Sequence, residues 1–256
     1  MLGIDWGQRD VLTLTIDRPE RRNAVDPELL TALARALGAE GAHASVVILR
    51  GAGTEAFSSG YDISRLTGSV EDLDADGFIG AAADALRSCP APVIAQIHGH
   101  CHGAAVELAL SCDLRIAADD LRMSVPAVGL GVVYRYQLVA RLVQICGLTR
   151  ASDLLLAMPE LDAARAYAWG LITEVLPGSQ VDARVQELAE KLASSPQAAV
   201  RGTKASLNMV AARAIVPEDV QKAQQVRAQA AASPERHEAV KRRKESMARR
   251  SQTEKP

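Results

Sequence analysis

Between Val11 and Asp17 the chain alternates Leu12, Leu14 and Ile16 with Thr13 and Thr15, a period of two that predicts a strand with one buried face. The period changes after Asp26. Asp26, Pro27 and Glu28 supply an N-cap, a proline at the first helical position and an early acid, and Leu29 to Leu37 carries apolar residues at helical spacing. A helix is expected there, ending near Gly38 or Gly41. Ser45 to Leu49 is a short β-branched run and predicts a strand, and Gly51 to Gly60, rich in Gly, Ser and Thr, predicts a loop. The order then recurs: a helical stretch from Ala75 to Arg87, a strand from Pro92 to Ile97, a glycine-bearing turn through Gly103, a helix from about Ala104, and a strand from Asp113 to Ala117. Short strands alternating with helices indicate an α/β fold. From Tyr136 onward the pattern is mostly helical, with one further strand at Leu171 to Leu176 and then helices to the end. Arg236 to Arg250 is crowded with Lys and Arg and has few apolar anchors, so it is expected to be solvated or frayed.

Charge and composition narrow the function. The 256 residues include 29 basic and 31 acidic side chains, a net charge of −2 that argues against nucleic acid as the main partner. Aromatic residues are only 3%, so the core is built from Ala, Val, Leu and Ile and there are few platforms for stacking bases. The length suits one large domain, or one domain with an appendage. Cys89, Cys101, Cys112 and Cys146 lack paired CxxC spacing, and reduced thiols in a cytoplasmic protein are expected. Met1 to Asp10 has no apolar run suited to a signal peptide, and nowhere do 18 apolar residues run together, so neither targeting nor a membrane partner is expected.

Two glycine-bearing turns hold the candidate chemistry, Phe57 to Ile63 and His98 to Glu107. The second runs into a helix, whose first N–H groups lack intrahelical acceptors and whose dipole favours a developing oxyanion. Glu107 stands about one turn beyond Gly103 on that helix. Alone it is an ordinary first-turn acid.

Arg18-Pro19-Glu20-Arg21-Arg22-Asn23-Ala24, then Phe57 to Ile63, then Pro92 through Asp113, then Ala166 to Ile172, closely resemble the crotonase (enoyl-CoA hydratase/isomerase) superfamily over about residues 10–210. The four motifs stand in the family's order and at its spacing. The resemblance implies a crotonase-like spiral of ββα units over residues 1–195 and a C-terminal helical region, 196–256, that serves trimerisation and covers CoA. It also implies a homotrimer or dimer of trimers, and acyl-CoA thioesters as substrates. Coenzyme A then arrives as part of the substrate, and no separate cofactor is expected. Matched position by position, Tyr61 and Ala104 supply the two backbone N–H groups of the family's oxyanion hole. Glu20, Arg21, Arg22 and Ala24 with Ser59, Gly60, Asp62 and Ile63 cradle the CoA, and His102, Gly103 and Ala127 fall around the acyl group. Such a hole stabilises charge that forms only as the thioester enolises.

Departures from the pattern bear on the reaction. Glu107 matches the first of the hydratases' two glutamates, whereas the second position, after Pro126, is Ala127. An alanine neither donates nor accepts a proton, so two-acid hydration is disfavoured. Gly129 to Tyr134, with Gly60 to Ile63, is similar to the methylmalonyl-CoA decarboxylase branch, which also lacks the second glutamate and has a tyrosine matching Tyr134. A neutral phenol there turns the leaving carboxylate out of the thioester plane. Decarboxylation is placed ahead of isomerisation, in which Glu107 alone would shuttle a proton, or of a hydratase-like reaction with Glu107 as the single acid/base. A non-catalytic acyl-CoA binder is the alternative of another class.

His98, His100 and His102 alternate, as a metal site on an extended segment would. They belong to the oxyanion-hole motif, where the resemblance implies no metal, and none is expected. His102 is a candidate acid or base in the acyl pocket. Gly51-Ala52-Gly53 lacks the third glycine of a dinucleotide fingerprint and reads as a loop. Asp62 and Asp113 are expected to fix turns and strand starts, and His237 to be solvated. Where relatives carry an aromatic and a basic motif over CoA, this chain has Lys241-Arg242-Arg243-Lys244 and no aromatic after Trp169.

Overall fold

The computed structural model describes residues 1–253, with side chains through Arg249, so residues 254–256 of the C-terminal region lie outside it. In chain order the strands are β1 (Leu2–Trp6), β2 (Val11–Ile16), β3 (Val46–Gly51), β4 (Ala56–Ser58), β5 (Val93–Ile97), β6 (His100–His102), β7 (Leu114–Ala118), β8 (Arg122–Ser124), β9 (Leu161–Asp162) and β10 (Glu174–Leu176). The helices are α1 (Pro27–Ala39), α2 (Asp72–Ser88), α3 (Ala104–Ser111), α4 (Tyr136–Ser152), α5 (Ala163–Ala168), α6 (Gly178–Ala193), α7 (Gln197–Ala212), α8 (Pro217–Ala231) and α9 (Pro234–Thr253). One sheet runs β1-β2-β3-β5-β7-β10, parallel except at the β1–β2 edge. The other runs β4-β6-β8-β9, parallel up to its antiparallel last pair.

The period-two reading of β2 places Leu12, Leu14 and Ile16 on one face, in the core beneath α1, α2 and α3. The other face is covered as well. Val11, Val46, Ile48, Ile94 and Ile116 pack against Val181, Val185 and Ala189 of α6, so the expected half-exposed strand is buried on both sides. A parallel sheet needs such crossover helices on both faces. Helix α1 starts as expected, with the Asp26 carboxylate accepting the Leu29 N–H at 2.9 Å, and buries Leu29, Leu30, Leu33, Ala36 and Leu37.

Several local expectations yield to tertiary pairing. The loop expected at Gly51 to Gly60 contains β4, and the turn through Gly103 contains β6, each a three-residue strand stabilised by its neighbour. β1, not foreseen, pairs with β2. The strand expected at Leu171 to Leu176 shrinks to Glu174–Leu176, because Leu171 and Ile172 are drawn into the core and the Leu171 carbonyl accepts from the buried Arg115 at 2.8 Å.

The stretch expected to be solvated or frayed is instead helix α9, anchored near its start. Arg236 and Val240 are buried, while His237 is exposed as expected. The Arg236 guanidinium meets the Asp72 carboxylate of α2 at 2.8 Å, with both side chains 4% exposed. Burial alone would raise the Asp72 pKa, but the N–H groups of Thr67 and Gly68, the Thr67 hydroxyl and Arg236 outweigh it and hold the carboxyl below the ordinary carboxylate value. A depressed pKa means that this tie contributes fully above the unfolded value of about 3.9 and is lost as pH falls through the folded one. Asp72→Asn should therefore raise hydrogen exchange in the first turns of α9 at pH 7, where the parent chain stays protected until acid. Equal protection in the two proteins would show that the pair does not hold α9.

Candidate active site

The segment at 18–24 is shaped by Asn23. This buried residue has φ 56°, a conformation asparagine tolerates, and donates to the carbonyls of Ala52 (2.9 Å) and Ala56 (2.7 Å) while accepting the Arg18 N–H. The loop is thereby fixed against the turn at Phe57 to Ile63, where the Ser59 N–H donates to the Arg22 carbonyl at 2.8 Å. Asp62 does the turn-fixing expected of it, accepting from the Ser64 hydroxyl at 2.6 Å and pairing with Arg21 at 2.8 Å. Asp113 likewise starts β5, accepting the Val93 N–H at 2.7 Å.

Backbone geometry brings Tyr61 and Ala104 together. A one-residue parallel bridge joins Val25 to Tyr61 through the Gly60 carbonyl and the Asp62 N–H, which turns the Tyr61 N–H the opposite way. Ala104 opens α3, where no intrahelical acceptor exists. Neither N–H meets an acceptor among the described residues. Gly60, at φ +89°, lets the turns touch: a Cβ there would strike the His102 carbonyl and stand 3.3 Å from the Ala104 nitrogen. Gly103, at φ +56°, faces the Tyr134 hydroxyl, 3.7 Å from where its Cβ would be.

These residues open on a cavity of about 1010 Å³. Glu20, Arg21, Arg22, Ala24, Ser59, Asp62 and Ile63 line it together with Tyr61, His102, Gly103, Ala104, Ala127 and Tyr134. Gly60 sits behind the wall. Glu107 is not among the lining residues, and its carboxylate is turned to Arg135. α3 is apolar and buried all round, and Glu107, 2% exposed, is claimed by the Arg135 guanidinium through a hydrogen-bonded ion pair. Burial pushes its carboxyl pKa up against the pull of Arg135. Burial and the nearby Glu107 raise the Tyr134 phenol well above its ordinary value, so it is neutral at pH 7.

The sequence reading missed the cavity's other charged groups. Asp76 of α2 pairs with Arg227 of α8, and Asp72 with Arg236 of α9, all four on the wall. Their only local trace is the i,i+4 spacing of the two aspartates, since the arginines arrive some 150 residues later. Arg243 and Met247 of α9 also line the cavity. The three alternating histidines are split: His98 faces Asp182 at 3.5 Å, whereas His100 and His102 line the cavity, with Nδ1 of the first 3.1 Å from Nε2 of the second. Among the described residues no three His, Cys, Asp or Glu side chains are placed to hold a metal ion, and no helix is long and apolar enough to cross a membrane.

Comparison with known proteins places the chain in a family. The family profile described as Enoyl-CoA hydratase/isomerase matches residues 7–252. The chain is 30% identical over 202 residues, 77% of each chain, to the short-chain-enoyl-CoA hydratase of Clostridium acetobutylicum. It is 32% identical over 215 residues, again 77% of each, to the peroxisomal Delta(3,5)-Delta(2,4)-dienoyl-CoA isomerase of Arabidopsis thaliana. A solved methylmalonyl-CoA decarboxylase in complex with 2-nitronate-propionyl-CoA superposes with a TM-score of 0.88 over 96% of this chain and 95% of that one; at 22% identity this speaks for the fold alone. With the family profile running nearly end to end, over residues 7–252, the chain belongs to the enoyl-CoA hydratase/isomerase family of the crotonase superfamily.

Proposed function

We propose that the protein decarboxylates a malonyl-type acyl-CoA. The observation that carries this reading is the absence of a usable acid pair. Position 127 presents only a methyl group, and the Glu107 carboxylate is bound by Arg135 behind the cavity wall. Decarboxylation needs neither. The bond between the α-carbon and the carboxylate breaks, its electron pair moves into the thioester as an enolate, CO2 leaves, and the α-carbon takes up one proton. The Tyr61 and Ala104 N–H groups would hold the enolate oxygen, where charge develops. The neutral Tyr134 hydroxyl, beside Gly103, would turn the carboxylate out of the thioester plane. Arg227 and Arg236 already have carboxylate partners, so they would not lock the substrate's carboxylate in a stable ground-state ion pair. Arg21 and Arg22, half-exposed in their pairs with Asp62 and Glu55, and Arg243 offer positive charge for the CoA phosphates. The exposed Leu207, Met209 and Val210 of α7 support the self-association that the family resemblance implies.

The test is mass spectrometry with chromatography on the protein incubated separately with methylmalonyl-CoA, a 3-enoyl-CoA and crotonyl-CoA. Loss of CO2 from the first is expected. A 2-enoyl or hydrated product would overturn the reading in favour of Glu107 as acid and base, and no product from any would favour a non-catalytic binder. Tyr134→Phe should lower kcat by about 10²-fold, the usual cost of one aimed donor, with CoA binding little changed. Equal losses in both would remove Tyr134 from the chemistry.

A further inference from the structure

Ser124, His102 and His100 form a hydrogen-bonded line on the cavity wall that decarboxylation does not use. β6 and β8 lie side by side with His102 opposite Ser124, and the strand period sends His100 and His102 to one face while Cys101 between them is buried. The Ser124 Oγ is 2.8 Å from His102 Nδ1, and His102 Nε2 is 3.1 Å from His100 Nδ1. Burial, with His100 adding to it, pulls the His102 pKa down to about 4, so at pH 7 its imidazole is neutral and carries one proton. With that proton on Nε2 and donated to His100, Nδ1 is left to accept from the Ser124 hydroxyl; so low a pKa makes the imidazole a weak base, and what favours proton transfer is the held 2.8 Å geometry. Of the other charged groups acting on His102, Glu160 favours an imidazolium, while Arg22 and Arg243 oppose it.

The same residues are tied to the oxyanion donors. The Gly103 N–H donates to the Ser124 carbonyl at 2.9 Å, and the next residue, Ala104, carries one of the two outward-facing N–H groups. Hydroxyl, base and oxyanion donor thus stand at the ends of two adjacent strands, and all face the one cavity.

We propose that Ser124, with His102 as its base and His100 as the group that orients it, is a nucleophile that hydrolyses acyl-CoA thioesters. Ser124 Oγ bonds to the thioester carbonyl carbon as its proton passes to His102 Nδ1. The oxyanion collapses, the C–S bond breaks with its electron pair leaving on sulfur, and the CoA thiolate takes the proton from His102. Water then adds to the Ser124 ester and gives a proton to His102. Collapse releases the carboxylic acid while that proton returns to Ser124. The net reaction converts acyl-CoA and water to acid and CoA thiol. It shares the two N–H groups with decarboxylation but makes no use of Tyr134.

Butyryl-CoA separates the two activities, because it has neither a carboxylate to lose nor a double bond to move. The chain should release free CoA thiol from it, measured colorimetrically. A fluorophosphonate probe should label Ser124, located by peptide mass spectrometry. Ser124→Ala should abolish the label, and His102→Gln should lower thiol release by roughly 10²-fold. An unlabelled parent chain with no thiol release overturns the proposal whatever the variants do, as does release undiminished in Ser124→Ala. Thiol release from butyryl-CoA without CO2 loss from methylmalonyl-CoA would support this activity while sinking the decarboxylase reading, and the reverse pattern would do the opposite.

Discussion

Arg135→Ala should destabilise the protein by about 3–5 kcal/mol in denaturant unfolding, the penalty for leaving a buried ion without its partner. The pair lies in the core, its Glu107 side chain 3% and its Arg135 side chain 13% exposed. Removing the guanidinium strands a carboxylate on a helix whose other residues are small or apolar. That carboxyl is then expected to protonate. Burial already raises its pKa against the pull of Arg135, and losing that pull raises it further in the variant, so the added penalty is absent below the unfolded value of about 4.3 and grows as pH rises toward the folded value. The variant should therefore recover stability relative to the parent on acidification. Adding Glu107→Leu to Arg135→Met should restore most of the loss at pH 7, because a well-packed apolar pair carries no charge to desolvate. A double-mutant cycle with no coupling would show that the two side chains are not partners in solution.

Gly60→Ala should cost about 10²- to 10³-fold in kcat for whichever thioester reaction the protein performs, the range seen when an oxyanion donor is lost. The glycine's φ of +89° is strained for any side chain, at about 1–3 kcal/mol. The new methyl group would also strike the backbone carbonyl of His102, which cannot rotate away as a flexible side chain can. Relief requires the two turns to separate, and their separation is the distance between the Tyr61 and Ala104 N–H groups. CoA affinity, measured by titration calorimetry, should fall much less, because Asn23 anchors loop 18–24 to the Ala52 and Ala56 carbonyls through bonds that Gly60 does not make. A variant that folds and keeps its parent rate would remove these N–H groups from the chemistry.

Much of this protein is decided within short windows of its chain. The Asp26 cap needs only the N–H three residues on, the apolar stripe of α1 only its own thirteen residues, and the turns at Gly60 and Gly103 only residues that tolerate positive φ. Those signals are local, which is why the α/β order, the cap and the two N–H-bearing turns were legible, and why the motifs within them carried the family. The fate of Glu107 was not legible. Its spacing from Gly103 places it on the right helix, but whether its carboxylate faces substrate or an arginine depends on Arg135, brought beside it from 28 residues away. The anchoring of α9 is of the same kind: a run of cations reads as solvated until Asp72, 164 residues earlier, supplies a buried partner. β4 and β6, three residues each, carry no period of their own and exist because each completes the other's hydrogen bonds. Local sequence sets φ, ψ and which positions are apolar, but a buried charge or a short strand takes its state from the groups packed against it, and only the tertiary structure brings those together.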